Sequence, residues 1–129
     1  MIGLDTNIVV RYLTHDDPVQ TAKAIELFAS LSVDAPGFLS LIALVESVWV
    51  LERSYRFTKN EIVRVVEIFL RGREVIVERA DLVSQALRTF NATGVNFSDC
   101  VIERCGHAAE CKYTATFDRR ATAVGMRLI

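Results

Sequence analysis

Short apolar runs alternate along the chain with longer stretches in which apolar residues recur at helical spacing. The short runs predict strands at residues 1–4, 38–39, 75–77, 113–116 and 126–129. We expect the first of these and the run at 75–77 to be buried, because neither is interrupted by a polar residue. Strands that alternate with helices favour an α/β fold over an all-α fold.

The intervening stretches carry signals for the start and end of helices. Helices are predicted over residues 7–13, from 18 to about 31, from 41 to about 53, from 59 to 72, over 81–90 and from 99 to about 110. We expect Ser40 and Ser98 to act as N-caps, and Thr58 with Glu61 to form a capping box. The predicted apolar stripe of the second helix consists of Ala22, Ile25, Leu27, Phe28 and Leu31.

The composition is that of one ordinary globular domain, for which we take residues 1–129. The chain is 51% hydrophobic and 24% charged with a net charge of −1, which argues against coating nucleic acid by bulk electrostatics. We see no signal peptide and no membrane-spanning run. The cysteines Cys100, Cys105 and Cys111 form no paired motif, so we expect reduced thiols in a cytoplasmic protein.

Four acidic residues stand where an apolar run gives way to polar chain: Asp5, Glu46, Asp99 and Asp118. An acid held against buried apolar surface is costly unless a partner compensates it. If a parallel sheet gathers these acids at one edge, they would form an oxygen-lined pocket suited to one or two hard divalent cations. Such a cation could polarise a phosphodiester and activate a water molecule.

Each acid also has a simpler explanation. Asp5 could cap the helix that follows it, and Asp118 could cap a turn. Asp99 could serve only to complement the dipole of its helix. Glu46 has apolar neighbours at helical spacing, Ile42, Trp49 and Val50. We therefore expect Glu46 on an apolar face, where it is bound to metal, protonated or in a buried ion pair with an arginine.

The acids and their neighbours resemble the PIN-domain family, and within it the VapC-type toxins of toxin–antitoxin pairs. The matching segments are residues 4–7, the helix of Glu46, residues 97–99 and residues 116–118. The resemblance implies a three-layer α/β/α fold with a parallel sheet of about five strands. It implies that Asp5, Glu46, Asp99 and Asp118 are the catalytic, metal-binding acids of an endoribonuclease that depends on Mg²⁺ or Mn²⁺.

The resemblance also implies partners and supporting residues. Relatives cleave structured RNA such as tRNA or ribosomal RNA, are commonly homodimers, and are blocked by a VapB-type antitoxin. Asn7 and Thr116 match polar positions of the family, and Thr6 could steady a carboxylate or bind a phosphate oxygen. Cys100 follows the third acid where many relatives have a smaller residue such as alanine, and its thiol could attract softer metals.

Arginines beside the acids could line the path of the RNA, because guanidinium groups suit phosphate. They are Arg11, Arg119 and Arg120, and the alternative for each is ordinary surface charge. Two other functions stay open at this point. One is another metal-dependent phosphoryl hydrolase, a DNA nuclease or a phosphatase, and the other is a catalytically silent binding module. A zinc site at Cys105, His107 and Cys111 is disfavoured, because no second ligand pair accompanies them.

Overall fold

Three short strands pair in parallel in the first of two units into which the chain divides. The computed structural model describes residues 1–129, and its two units are Met1–Glu78 and Arg79–Ile129. In the first unit the strands β1 (Ile2–Gly3), β2 (Gly37–Leu39) and β3 (Val75–Val77) lie in the order β1-β2-β3. The helices of this unit are α1 (Thr6–Thr14), α2 (Pro18–Ser30), α3 (Leu41–Tyr55) and α4 (Lys59–Arg71).

The outer strands of this ladder are less buried than predicted. Ile2 and Ile76 are about half exposed (49% and 48%), whereas Leu4 just after β1 and Val77 at the end of β3 are buried. Successive side chains of a strand point to opposite faces, so an uninterrupted apolar run need not be buried on both faces. Only β2 has a strand on each side, and its Leu39 is fully buried.

The predicted helix starts of α3 and α4 are confirmed in their hydrogen bonds. The Ser40 hydroxyl accepts a bond from the backbone N–H of Ala43 at 3.1 Å. Thr58 accepts from the backbone of Glu61 at 3.2 Å, and the Glu61 carboxylate accepts from the Thr58 N–H at 3.0 Å, which completes the capping box. Gly72 ends α4, as its position in the sequence predicts.

The predicted apolar stripe of α2 is partly wrong. Ala22 is exposed and Ile25 is 42% exposed, while Thr21 and Ala24 are buried in their place. Thr21 can be buried because its hydroxyl donates a hydrogen bond to the backbone carbonyl of Arg11 at 3.2 Å. The prediction assigned burial from polarity alone, and it therefore placed the buried positions of α2 one residue too close to the C-terminus.

The second unit contains two helices, a 3-10 helix and a two-stranded parallel ladder. The helices are α5 (Ala80–Thr93) and α6 (Phe97–Ala108), and the 3-10 helix spans Arg119–Val124. The strands β4 (Ala115–Thr116) and β5 (Arg127–Leu128) pair in parallel. The sequence patterns did not predict the 3-10 helix.

The predicted cap at Ser98 is wrong. Helix α6 begins at Phe97, so Ser98 lies inside its first turn, and Asn96 occupies the N-cap position without a side-chain cap bond. Phe97 is almost fully buried and packs edge-on against Phe90, with ring centroids 5.7 Å apart. The helix therefore begins where this aromatic side chain is buried, two residues earlier than a cap at Ser98 would place it.

The α/β class and the parallel pairing predicted from the sequence are confirmed. There are five strands, in ladders of three and two. The interpretation of residues 1–129 as one domain stays a prediction. None of the helices combines the length and apolar character that a membrane crossing requires.

Replacement of Thr58 by alanine should lower the free energy of unfolding by about 1 kcal/mol, because the hydroxyl that accepts the backbone N–H of Glu61 is lost. Ser98→Ala is the matched control and should cost less than about 0.5 kcal/mol, since Ser98 makes no cap bond. Urea denaturation followed by circular dichroism measures both. Equal losses in the two variants would contradict the cap assignments.

Candidate active site

Asp5 lies between β1 and α1 with its carboxylate uncommitted. It occupies the N-cap position of α1, and its backbone carbonyl accepts bonds from the N–H groups of Ile8 and Val9 at 3.1 and 3.3 Å. Its side chain makes no capping hydrogen bond and is exposed. The simpler explanation, that this acid is present to cap the helix, is therefore not supported.

Glu46 does not lie on the buried face of α3, so that part of the sequence prediction is wrong. Its neighbours Ile42 and Trp49 are 79% and 54% exposed, and Glu46 is itself exposed. The buried residues of α3 are Ala43, Leu44, Ser47, Val48 and Leu51. One of them, Ser47, is polar, and it can be buried because its hydroxyl donates a hydrogen bond to the backbone carbonyl of Ala43 at 2.6 Å. Apolar residues therefore occupy both the buried and the exposed face of α3, so their spacing in the sequence could not show which face is buried.

Asp5 and Glu46 nevertheless line one pocket of about 340 Å³ in the first unit. The other lining residues are Thr6, Asn7, Val10, Arg11, Val50, Ser54 and Tyr55. The hydroxyl of Thr6 donates a hydrogen bond to Oε2 of Glu46 at 3.2 Å, so Thr6 steadies the second acid rather than the first. The predicted ion pair of Glu46 with an arginine is not formed with Arg11, whose salt bridge is made to Asp16 at 3.1 Å.

Asp99 lies in the first turn of α6 and is half-buried. Burial raises the pKa of this carboxyl above its ordinary value, and the negative charge of Asp118 raises the pKa further. The positive charge of Arg120 acts in the opposite direction and is the smaller influence. If the helix dipole were the only influence, it would lower the pKa, so helix-end electrostatics do not account for Asp99.

Asp118 is the N-cap of the 3-10 helix, as the simpler explanation proposes. Its Oδ1 accepts a hydrogen bond from the backbone N–H of Arg120 at 2.9 Å, and Nε of Arg120 lies 3.7 Å from the same atom. The hydroxyl of Thr116 accepts from the backbone N–H of Asp118 at 3.0 Å, which fixes the turn after β4. These bonds use one carboxylate oxygen, and Oδ2 makes no hydrogen bond within the chain.

Asp99 and Asp118 line a second pocket, of about 270 Å³, in the second unit. Its other lining residues are Thr93, Gly94, Val95, Asn96, Arg120 and Ala123. Sequence reasoning did not identify Asn96 at this site. The one available signal was its place directly before the Phe-Ser-Asp segment, where a polar residue usually begins a helix.

Cys100 is a poor candidate for binding soft metals. Burial raises the pKa of its thiol to about 11, with a further contribution from the charge of Asp99. The protonated sulfur donates a long hydrogen bond, 3.7 Å, to the carbonyl of Val95. A thiolate is the metal-binding form of cysteine, and both the burial and the charge of Asp99 oppose its formation here.

The acids thus occur as two pairs, one in each unit. Neither unit holds a group of three or more His, Cys, Asp or Glu side chains that could bind a metal by itself. The union of all four acids around a common cation stays a prediction.

Comparisons with known proteins identify the class. The family model described as PIN domain matches residues 2–125, and the chain therefore belongs to the PIN domain family. A curated relative from Aquifex aeolicus (strain VF5), named VapC ribonuclease, is 24% identical over 128 residues, which cover 98% of this chain and 93% of the relative. Among solved structures, Mycobacterium tuberculosis VapC20, described as a sarcin–ricin loop cleaving toxin, is 22% identical with a TM-score of 0.48, over 98% of this chain and 97% of that one.

Asp99→Asn should raise the melting temperature in metal-free buffer near neutral pH, by roughly 2 °C. Because the folded state raises the pKa of Asp99, its ionised carboxylate destabilises the folded protein once the pH exceeds the ordinary aspartate value. The gain should shrink as the pH is lowered toward the ordinary aspartate value and should vanish below it, where Asp99 is protonated in both the folded and the unfolded state. Differential scanning calorimetry over a pH series with chelator measures it.

Asp81→Asn is the control for this experiment, because its carboxyl has the opposite behaviour. A backbone hydrogen bond at Leu82 and the guanidinium of Arg79 lower the pKa of Asp81. Its neutralisation should lower the melting temperature at neutral pH. A decrease in both variants would show that Asp99 is stabilised by its helix, against the interpretation given above.

Proposed function

We propose that this protein is a metal-dependent endoribonuclease that acts as the toxin of a toxin–antitoxin pair and hydrolyses phosphodiester bonds in structured RNA, either tRNA or ribosomal RNA. The observation that carries the proposal is the PIN-domain match over residues 2–125, which includes all four acids. A relative named VapC ribonuclease that aligns over 98% of the chain supports the specific activity. Its RNA substrate is in the cytoplasm, where we place the protein.

The acids supply the donor chemistry that Mg²⁺ or Mn²⁺ requires, since both prefer oxygen ligands. We propose that Asp5 and Asp99 bind the cation most directly and that Glu46 and Asp118 complete its ligands, directly or through water. The raised pKa of Asp99 supports this, because the burial and repulsion that cause it would be offset by a bound cation. When bound, the cation supplies positive charge that polarises the phosphodiester and acidifies water for the attack.

Residues that line the two pockets, or that lie next to their acids in the chain, orient the acids and the RNA. The Thr6 hydroxyl holds Oε2 of Glu46 at 3.2 Å, and the Thr116 hydroxyl holds the backbone at Asp118 at 3.0 Å. Asn7 is exposed in the pocket of Asp5, where its amide can donate to a phosphate oxygen. We propose that Arg11, Arg119 and Arg120 bind phosphates of the RNA backbone. No side-chain nucleophile takes part in this mechanism.

The proposal includes two protein partners, a VapB-type antitoxin that blocks the acidic groove and a second copy of the chain. The surface of α3 supports a partner, because Ile42 and Trp49 are 79% and 54% exposed on the same helix as Glu46. Apolar surface of this kind often marks a site of protein association.

Asp5→Asn and Asp99→Asn should each reduce cleavage of total RNA by at least about a hundredfold, because a metal contributes several kcal/mol to stabilising the transition state. The folded state should persist in both, as judged by circular dichroism. Asp34→Asn, a change of an exposed acid in the loop before β2, is the matched control and should leave cleavage unchanged. Full activity in either pocket variant would contradict the assignment.

The same assay separates the rival functions. Total RNA, single-stranded DNA and a phosphate monoester are compared with Mg²⁺, with Mn²⁺ and with chelator. Cleavage of DNA or of the monoester in preference to RNA would indicate another phosphoryl hydrolase. The absence of any cleavage, with binding of the antitoxin retained, would indicate a silent binding module.

Millimolar Mn²⁺ should raise the melting temperature of the unmodified protein by several degrees, because a ligand that binds only the folded state stabilises it. The shift should be lost in Asp5→Asn and in Asp99→Asn, and retained in Asp34→Asn. Thermal denaturation with and without the metal measures it directly. An unchanged curve for the unmodified protein would argue against a metal site at these acids.

A further inference from the structure

The side chain of Arg11 reaches the pocket of Asp5 and Glu46 but is bonded to other partners. Its Nε donates to Oε1 of Gln20 at 2.8 Å. Its Nη1 donates to Oδ1 of Asp16 at 3.1 Å and to the hydroxyl oxygen of Tyr55 at 3.0 Å. A mobile guanidinium in a pocket with two carboxylates that have no cationic partner would be expected to pair with them.

Tyr55 and Asp16 are themselves joined, so the arrangement is a closed triangle. The Tyr55 hydroxyl donates to Oδ2 of Asp16 at 2.5 Å, while Oδ1 of Asp16 accepts from Arg11. The Thr14 hydroxyl also donates to Asp16, at 3.3 Å. The hydrogen bond from Tyr55 lowers the pKa of Asp16, with a further contribution from Arg11, so Asp16 remains an anion at neutral pH.

The bonds to Arg11 leave one nitrogen of the guanidinium available. Nε and Nη1 are used within the chain, whereas Nη2 makes no hydrogen bond there. The side chain is 29% exposed and lines the same pocket as Asp5 and Glu46. A guanidinium has five N–H donors, and the two on Nη2 can still bind a phosphate oxygen.

We propose that Asp16 and Tyr55 are positioning residues that hold Arg11 at the rim of the Asp5–Glu46 pocket. Held there, Arg11 presents Nη2 to a backbone phosphate of the RNA and is kept out of a salt bridge with the metal-binding acids. This inference rests on the proposed function, since it assigns these residues a role at the same site. The sequence patterns identified Arg11 but gave no role to Asp16 or Tyr55.

The two roles of Arg11 predict different results for different variants. Arg11→Ala should raise KM for total RNA by about tenfold through loss of one charged contact, with kcat nearly unchanged. It should also reduce the slope of log KM against log salt by about 0.7. Its affinity for Mn²⁺ alone should not fall, because no carboxylate loses a metal-binding oxygen.

Tyr55→Phe and Asp16→Asn each weaken the hold on Arg11 by removing one hydroxyl or one charge, and each should affect the binding of both RNA and metal. KM for total RNA should rise several-fold, and the affinity for Mn²⁺ alone should fall by about three- to tenfold as the freed guanidinium pairs with Asp5 or Glu46. Titration of Mn²⁺ by calorimetry measures this without any catalytic step. Adding Arg11→Ala to Tyr55→Phe should restore the Mn²⁺ affinity but not KM, and this non-additivity is the specific sign of the proposed role.

Matched controls make the outcomes decisive. Tyr113→Phe removes a hydroxyl from an exposed tyrosine of the second unit, and Arg71→Ala removes an exposed arginine at the end of α4. Both should behave as the unmodified protein does. Unchanged KM and Mn²⁺ affinity in Tyr55→Phe and Asp16→Asn would overturn the proposal, as would a loss of Mn²⁺ affinity that Arg11→Ala does not reverse. If the unmodified protein neither binds Mn²⁺ nor cleaves RNA, the proposed function itself fails, and the two failures are thus distinguishable.

Discussion

Repulsion between carboxylates that share a pocket is the constraint around which the site is arranged. Asp99 and Asp118 line one pocket, and the pKa of Asp99 is raised by burial and by its neighbour's charge. Asp5 and Glu46 line another, where the available arginine is bonded elsewhere. A protein that needed only stability would neutralise such pairs internally, because a like charge nearby disfavours ionisation. Within the chain, Arg120 lies 3.7 Å from Asp118, whereas Arg11 of the other pocket is paired with Asp16. The cation proposed for this site would offset the repulsion that is left.

The backbone reduces part of this electrostatic cost. Asp5 and Asp118 precede the first residue of a helix, and Asp99 lies within the first turn of another. Unpaired N–H groups at these helix starts carry partial positive charge and favour an anion. Glu46 is the exception, because it lies in the middle of the α3 sequence, and its carboxylate accepts a hydrogen bond from the hydroxyl of Thr6 instead. Three of the acids thus lie at helix starts, and the fourth has a neighbouring hydroxyl as its donor.

Sequence reasoning predicted elements whose signals are local. The capping box at Thr58 and the cap at Ser40 are each specified by residues three positions apart, and both form. It failed where burial depends on distant parts of the chain. The start of α6 follows the packing of Phe97 rather than the hydroxyl of Ser98. The buried face of α3 could not be distinguished, because apolar residues occupy both of its faces.

The same distinction applies to the candidate site. The four acids were identifiable from the sequence because each interrupts an apolar run. The argument that Glu46 is buried was wrong, because its side chain is exposed, although it does line a pocket together with Asp5. Asp16 and Tyr55 gave no such signal, since Asp16 is an ordinary polar residue of the connection between α1 and α2 and Tyr55 is the last residue of α3.

Their importance arises only from contacts across the first unit. Tyr55 is 44 residues from Arg11 in sequence, yet its hydroxyl lies 3.0 Å from Nη1. At the Asp5–Glu46 pocket, the proposed function requires acids that no arginine of the chain neutralises and also a cation that the RNA can still reach. A fixed arginine meets both requirements, because its hydrogen bonds, and not its charge alone, determine which anion it can reach.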